Sequence, residues 1–345
     1  MNDFAFDIWY FAGLSGDIKT GDLIRVEIAG QPITLGRKRD GSVFALRDIC
    51  PHRAAPLSAG QMKDDTVECP YHGWRFGADD GACKEIPAMC DDQEMDTSRI
   101  KVRTYPSREQ GHLIWVYIAA DPKSTAPPAC DPPHFPMAEM KPVMRDGVTL
   151  NCHVDHAVIG LMDPAHGPYV HRQWWWRSEK SMHEKAKQFE PRELGFAMAR
   201  HSPSSNSFAY KILGGKPETE ITFRLPGIRT EHIRVGKKQL LSFTAVTPID
   251  DDHTQITQVF FTDIGVVKVF RPIVAHFARA FLRQDADMVD LQQMGLKHEP
   301  RLMLVDDADT QAKWYHAIKR EWAKSRKEGR EFVNPVKAKV LRWRS

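Results

Sequence analysis

Two short Cys/His pairs constrain this chain more than anything else in it: Cys50-Pro51-His52 and Cys69-Pro70-Tyr71-His72. Sixteen residues lie between His52 and Cys69. Each pair places one soft thiolate and one imidazole on a tight, proline-containing loop. Two sulfurs and two nitrogens are the donor set of a [2Fe–2S] cluster in which histidines replace the cysteines of one iron. A structural zinc accepts the same elements, although its usual finger groups Cys with Cys and His with His. A disulfide between Cys50 and Cys69 leaves both histidines unexplained. The cluster accounts for all four residues and implies one-electron chemistry; zinc and a disulfide remain the alternatives.

The flanking residues extend the pattern. The first loop continues as Arg53-Ala54-Ala55-Pro56-Leu57-Ser58-Ala59-Gly60 and the second as Gly73-Trp74-Arg75-Phe76. The whole stretch closely resembles the Rieske domain of the ring-hydroxylating oxygenases. That resemblance implies that Cys50 and Cys69 bind the buried iron and that His52 and His72 bind the outer one.

A chain of 345 residues has room for two domains. An electron-carrier domain needs only about a third of that length, so something else occupies the rest. A net charge of +3 is too small to argue for a nucleic-acid partner. Cys83, Cys90, Cys130 and Cys152 show no tight pairing motif. They read as free thiols in a reducing compartment, so a cytoplasmic location is expected. The start Met1-Asn2-Asp3-Phe4 carries acid where a signal peptide carries base. No uncharged apolar run approaches the ~18 residues of a membrane span. The most apolar region, 264–282, is interrupted by Lys268, Arg271, His276 and Arg279. No membrane partner is expected.

The first third of the chain reads as short strands: 23–28, 32–37, 43–46 and 112–118. Asp40-Gly41 and Asp80-Gly81 are hairpin signals. Cluster donors in the turns of a small antiparallel β domain, residues 1–120, follow. Residues 121–136 hold Pro122, Pro127, Pro128, Pro132 and Pro133, a density that resists both helix and sheet interior and marks a linker. The remainder, 137–345, mixes strand candidates at 219–225, 229–235, 239–247 and 254–262 with helical signals at 153–163, about 267–296 and 309–328. This predicts an α+β second domain. The family resemblance implies that it is a helix-grip-like antiparallel sheet with helices.

The second constellation is Asp163-Pro164-Ala165-His166-Gly167-Pro168-Tyr169-Val170-His171. Histidines five apart do not stack on one face of a regular helix. Gly167 and Pro168 between them predict a broken helix, which brings both imidazoles to one metal. A two-His-one-carboxylate site with open positions is the signature of non-heme Fe(II) that activates O2. The carboxylate must come from farther along: Asp285, Asp287 or Asp290. On a helix Asp285 neighbours Phe281, Leu282, Met288 and Val289, all apolar, whereas Asp287 faces water and Asp290 a mixed face. A carboxylate on an apolar face needs a partner. A metal is one such partner and a buried arginine is another. The family resemblance implies His166, His171 and Asp285 as Fe(II) ligands. It further implies that Asp163 bridges His166 to a cluster histidine, His72, of a neighbouring subunit. The family often has Asn or Glu four residues before this aspartate; here Ile159 stands there.

Trp174-Trp175-Trp176 cannot all point one way, and none is assigned to substrate. Phe260, Phe261, Phe270, Phe277 and Phe281 suit either a pocket wall or core packing. No Arg or Lys cluster stands out as a carboxylate clamp. The basic C-terminal stretch from Lys319 to Arg344 reads either as a solvated helix face or as a docking surface for an acidic redox partner, the former being the plainer reading. The chain has no GxGxxG after a strand and no plant-type ferredoxin spacing. Electrons, ultimately from NAD(P)H, must then arrive from a separate reductase, directly or through a ferredoxin. Over nearly its whole length the chain resembles the catalytic α subunit of the Rieske non-heme iron oxygenases. That implies a head-to-tail homotrimer which hydroxylates, dealkylates or dihydroxylates an apolar small molecule, as in aromatic hydrocarbon catabolism. An electron carrier with a non-catalytic second domain and a zinc-stabilised binding module are the rivals.

Overall fold

The structure, a computed structural model, describes residues 4–345 apart from 172–181, 204–215, 266, 268 and 269. Trp174, Trp175 and Trp176 lie outside the described residues. The chain divides into two compact units: Phe6–Pro133, and His134–Ser345 together with Phe4 and Ala5.

Three antiparallel sheets make the first unit. Leu113–Ile118 lies between Ile8–Leu14 and Ser107–Gln110. Every residue of this central strand is buried, which is why it reads as an unbroken apolar run. Leu23–Ile28, Gln31–Arg37, Val43–Arg47 and Thr104–Tyr105 form the second sheet. Gln61–Lys63, Thr66–Glu68, Arg75–Gly77 and Cys83–Glu85 form the third. Both Asp-Gly pairs turn hairpins. At Gly81, with φ +64°, an added Cβ would lie 2.0 Å from the Val102 carbonyl oxygen, so glycine is required there. The proline-rich stretch packs on this unit: Cys130 O accepts from Trp9 Nε1 at 2.7 Å, and Tyr117 OH accepts from the Ala129 N–H at 3.0 Å.

The second unit is an eight-stranded antiparallel sheet with helices. Its order is Met144–Leu150, Thr254–Thr262, Lys238–Pro248, Ile228–Val235, Pro217–Arg224, Gly195–His201, Glu184–Arg192 and Lys339–Arg344. Its α-helices, among the described residues, include α1 (Val154–Met162), α2 (Gly167–Val170), α3 (Arg271–Leu296) and α4 (Thr310–Glu328). Helix α3 packs along Met144–Leu150, and α1 packs against α4 and Lys238–Pro248. No helix among the described residues is long and apolar enough to cross a membrane.

The C-terminal stretch corrects the sequence expectation. Lys319 is not on a solvated face: it is 6% exposed and holds Asp155 of α1 at 2.7 and 2.8 Å. Tyr315 donates to the same carboxylate at 2.5 Å. Removing one partner of such a buried pair strands a charge, at about 3–5 kcal/mol. Lys339–Arg344 is an edge strand paired with 184–189, with Leu341 and Trp343 turned into the core. Its period-two alternation was masked by the basic residues between them.

Candidate metal centres

The two Cys/His loops have the same backbone. The Cys50 N–H donates to Ala55 O at 2.9 Å and the Cys69 N–H to Trp74 O at 2.8 Å. Each cysteine carbonyl accepts from the fourth residue on, Ala54 N at 2.9 Å and Gly73 N at 3.0 Å. Those fourth residues have left-handed backbones, φ +60° at Ala54 and +70° at Gly73. Asp48 anchors the first loop from below: its carboxylate accepts from Thr34 Oγ1, Ser58 N and Ser58 Oγ at 2.7 Å each and pairs with Arg25.

Donor type is sorted by depth. Cys50 and Cys69 are each 2% exposed, within the cluster of Phe44, Leu57, Val67 and Phe76. His52 and His72 lie at the loop tips, exposed and half-buried, with ring centroids 4.5 Å apart. Trp74 stacks flat on His52 at 4.6 Å. Burial, with the Cys69 thiol alongside, pushes the Cys50 thiol up to about 11. Two buried thiols become thiolates only if a cation compensates them. Desolvation, then the charges of His52 and Arg53, holds His72 below its ordinary value, in the neutral form that binds metal. Among the described residues no three of these four donors converge within 4.8 Å. A single tetrahedral zinc needs all four together; a two-iron cluster needs thiols at one end and imidazoles at the other. All six cysteines are free, so Cys50 and Cys69 form no disulfide.

The second centre starts where α1 ends. Asp163 caps α1 with an extended backbone, as a residue before proline must, and its Oδ1 accepts from Ala165 N at 2.7 Å. The helix break therefore falls at Asp163-Pro164, not between the histidines. Gly167 and Pro168 instead open the one-turn helix α2, where a proline is tolerated in the first turn. His166 and His171 flank that turn, with their Nε2 atoms 3.2 Å apart. Asp285 Oδ1 from α3 lies 3.7 Å from His166 Nε2 and 3.3 Å from His171 Nε2. Asp287 and Asp290 are exposed, the latter accepting from Asn151 Nδ2. Of the five phenylalanines considered, Phe281 lies tilted against the His171 ring with centroids 4.4 Å apart, Phe260 is half-buried, Phe261 is core, and Phe270 and Phe277 are exposed.

The surroundings bear on which nitrogens carry protons. His171 Nδ1 meets Gln284 Oε1 at 3.0 Å, and His166 Nδ1 meets Asp163 Oδ2 at 3.4 Å. Both partners offer acceptor oxygens, which suits a hydrogen on each Nδ1 and turns each Nε2 toward the trio. Two imidazole nitrogens and a carboxylate oxygen thus converge. Burial pushes the Asp285 carboxyl up to about 6, against the pull of His166 and Arg229. For His166, desolvation lowers the pKa, but the hydrogen bond and charge of Asp163 and the charge of Asp285 raise it overall. Two ligands held at ~2.1 Å from one ion lie ~3.0–3.4 Å apart; the His166–His171 and His171–Asp285 spacings fall in that range, and the 3.7 Å between His166 and Asp285 is a few tenths of an ångström beyond it. Gln284 escaped the sequence reading; its only signal is its place before the ligand-like acid.

Comparison with known proteins resolves the family. Residues 8–106 match the Rieske [2Fe-2S] domain family, and residues 150–325 match the vanillate O-demethylase oxygenase C-terminal domain. The chain belongs to the Rieske non-heme iron oxygenases. The oxygenase component of dicamba O-demethylase from Stenotrophomonas maltophilia is 36% identical over 172 residues, 49% of this chain and 48% of that protein. Chlorophyllide a oxygenase of Arabidopsis thaliana is 29% identical over 167 residues, 48% of this chain and 29% of that protein. The chain spans about half or less of the length of these curated relatives. A crystal structure of dicamba monooxygenase with non-heme iron and dicamba shares the fold, with a TM-score of 0.73 at 20% identity, covering 95% of this chain and 99% of that one. The cofactors of this Rieske oxygenase are a [2Fe–2S] cluster and a mononuclear iron.

Proposed function

We propose that the chain is the oxygenase component of a multicomponent system. It uses O2 and electrons from a separate reductase to hydroxylate, dealkylate or dihydroxylate an apolar small molecule, aromatic or alicyclic. One observation carries the reading: a two-His-one-carboxylate trio, His166, His171 and Asp285, stands in the same chain as the paired Cys/His loops. In this reading Cys50 and Cys69 hold the inner cluster iron, His52 and His72 the outer iron, and the trio holds Fe(II).

When bound, the cluster supplies single electrons and the Fe(II) supplies open positions for O2 chemistry. The protein's residues prepare that chemistry. Asp163 and Gln284 keep the two Nε2 atoms unprotonated and aimed inward. Phe281 lies against the His171 ring. Asp163 also links His166 to the neighbouring subunit's His72 in a head-to-tail homotrimer. The apolar side chains that α3 leaves exposed, Ile273, Phe277, Leu291 and Met294, supply surface for such a neighbour to cover. Six unpaired cysteines suit the cytoplasm. Reducing power comes from NAD(P)H through the reductase, directly or by way of a ferredoxin. Relatives named for O-demethylation make oxidative dealkylation the first reaction to assay.

The test is metal analysis followed by turnover. The purified protein should hold about three irons per chain. With a surrogate reductase it should consume O2 and yield products heavier by oxygen or lighter by an alkyl group. About two irons and no turnover would establish the electron carrier; zinc without iron–sulfur absorption would establish the binding module.

A further inference from the structure

Helix α1 is tied down at one end and carries the metal-site loop at the other. Asp155 lies in its first turn. The Asp155 Oδ1 accepts from Tyr315 OH at 2.5 Å and from Lys319 Nζ at 2.7 Å, and its Oδ2 accepts from Lys319 Nζ at 2.8 Å. Tyr315 and Lys319 sit one turn apart on the same face of α4. All three residues are buried. His153 caps the same turn of α1, its Nδ1 accepting from Asp155 N at 3.3 Å. At the far end Asp163 closes α1, its N–H donating to the Ile159 and Gly160 carbonyls. Its Oδ2 stands 3.4 Å from His166 Nδ1.

A buried ion pair of this kind is a weak source of stability, because the cost of desolvating both charges cancels much of their attraction. It is a strong source of direction. Val154, Ala157, Val158 and Met162 form the apolar side of α1, and apolar burial alone has no preferred angle. The Asp155 carboxylate does: a shift of α1 along α4 would strand a charge in the interior. Less holds the far end. Leu161, Met162, Asp163 and Pro164 border a cavity, so packing on that side resists their movement less. Asp163 is eight residues from Asp155, which is about 12 Å along a helix. A tilt of α1 by about 5° would carry Asp163 by about 1 Å, against the roughly 0.5 Å within which a metal site must be held.

We propose that Asp155, Tyr315 and Lys319 are positioning residues for the mononuclear centre. By fixing α1 on α4 they set Asp163, His166 and His171 against Asp285 of α3. The inference rests on the oxygenase reading of that trio. The coupling must run both ways: a clamp that favours metal binding is itself tightened when the metal binds.

The test uses the whole chain with its cluster in place and the mononuclear iron removed by chelation. Fe(II) is titrated back without O2 in competition with a metal dye. A triple variant, Asp155→Leu with Tyr315→Phe and Lys319→Met, removes the clamp and leaves no buried charge behind. It should melt close to wild type and keep the iron–sulfur absorption, yet bind Fe(II) at least roughly tenfold more weakly. A folded triple variant with wild-type Fe(II) affinity overturns the proposal and makes the three residues structural only. If the triple variant does not fold, hydrogen exchange of the wild type decides. Fe(II) should slow amide exchange at 154–158 of α1 and at 315–322 of α4, neither of which supplies a ligand. Unchanged exchange in α4 with Fe(II) bound overturns the clamp alone. Failure of the wild type to take up Fe(II) sinks the oxygenase reading and the clamp with it.

Discussion

The two metal-binding regions are built on opposite plans. The cluster donors all fall between residues 50 and 72, on two loops closed by matching backbone hydrogen bonds. The trio takes His166 and His171 from one short turn and Asp285 from a helix far along the chain. In the cluster region the anionic donors are deepest and the imidazoles outermost. In the trio His171 is 7% exposed while the Asp285 side chain is 34% exposed. The first arrangement is local and self-closing. The second exists only because α3 is docked along Met144–Leu150, where Arg279 pairs with Asp146 at 3.0 Å. Local sites resist disturbance of the rest of the fold; assembled sites depend on it.

The sharpest way to break that contrast is Asp285→Ala. The variant should lose one of about three irons and essentially all turnover, while the iron–sulfur absorption stays unchanged. Loss of both signals together would show that the two regions are not independent. Next in size is Asp163→Asn, which keeps an acceptor for the Ala165 N–H. Both metals should remain, and turnover should fall ~10–100-fold, as for other groups that orient a metal-binding histidine. Full activity in this variant removes Asp163 from the electron path.

A pH titration separates the regions more gently. The Asp285 carboxyl of iron-free protein titrates near 6, above its ordinary value, because burial disfavours its charge. Fe(II) needs the ionised form, so a proton must leave on binding. Below pH 6 the Fe(II) affinity should drop at least about tenfold per pH unit, more where His166 must also lose a proton. The sign for folding is the reverse: a carboxyl raised on folding favours the iron-free fold at low pH and loses that contribution as pH rises through about 6. Competition binding against a metal dye from pH 5 to 8 measures the first effect; a flat profile would mean that Asp285 is not a ligand.

The smallest effect lies inside the cluster region. Gly73 and Ala54 hold the same place in the two loops, both left-handed. Gly73→Ala should cost ~1–2 kcal/mol of stability, because its new Cβ also meets Pro87 Cγ at 3.1 Å. Ala54→Gly should change stability by less than ~1 kcal/mol, since relief of strain offsets the added freedom of the unfolded chain. Thermal melts compare the two, and equal costs would mean the loops are not equivalent.

Legibility in the sequence followed the same division. The cluster loops and both Asp-Gly hairpins were readable because each is specified by neighbouring residues. Strands 219–225, 229–235, 239–247 and 254–262 were readable, the last from its alternation, and their partners bear them out. Strands Glu184–Arg192 and Lys339–Arg344 were not: basic residues surround Leu341 and Trp343 in the second, and in the first one of the two buried residues is itself charged, Lys185. Asp285 was separable from Asp287 and Asp290 by its apolar helical neighbours. Lys319 was misread because nothing near it in sequence announces Asp155.

The sequence by itself determined the donor chemistry: two thiolates and two imidazoles on tight loops, and two further histidines beside a helix break. Those are properties of residue type and short spacing. Only the tertiary structure decided what meets what across the chain. It brought Asp285 to the two histidines and joined Lys319 to Asp155. Sheet register and helix docking set those encounters, and both depend on packing between segments whose own sequences carry no record of one another.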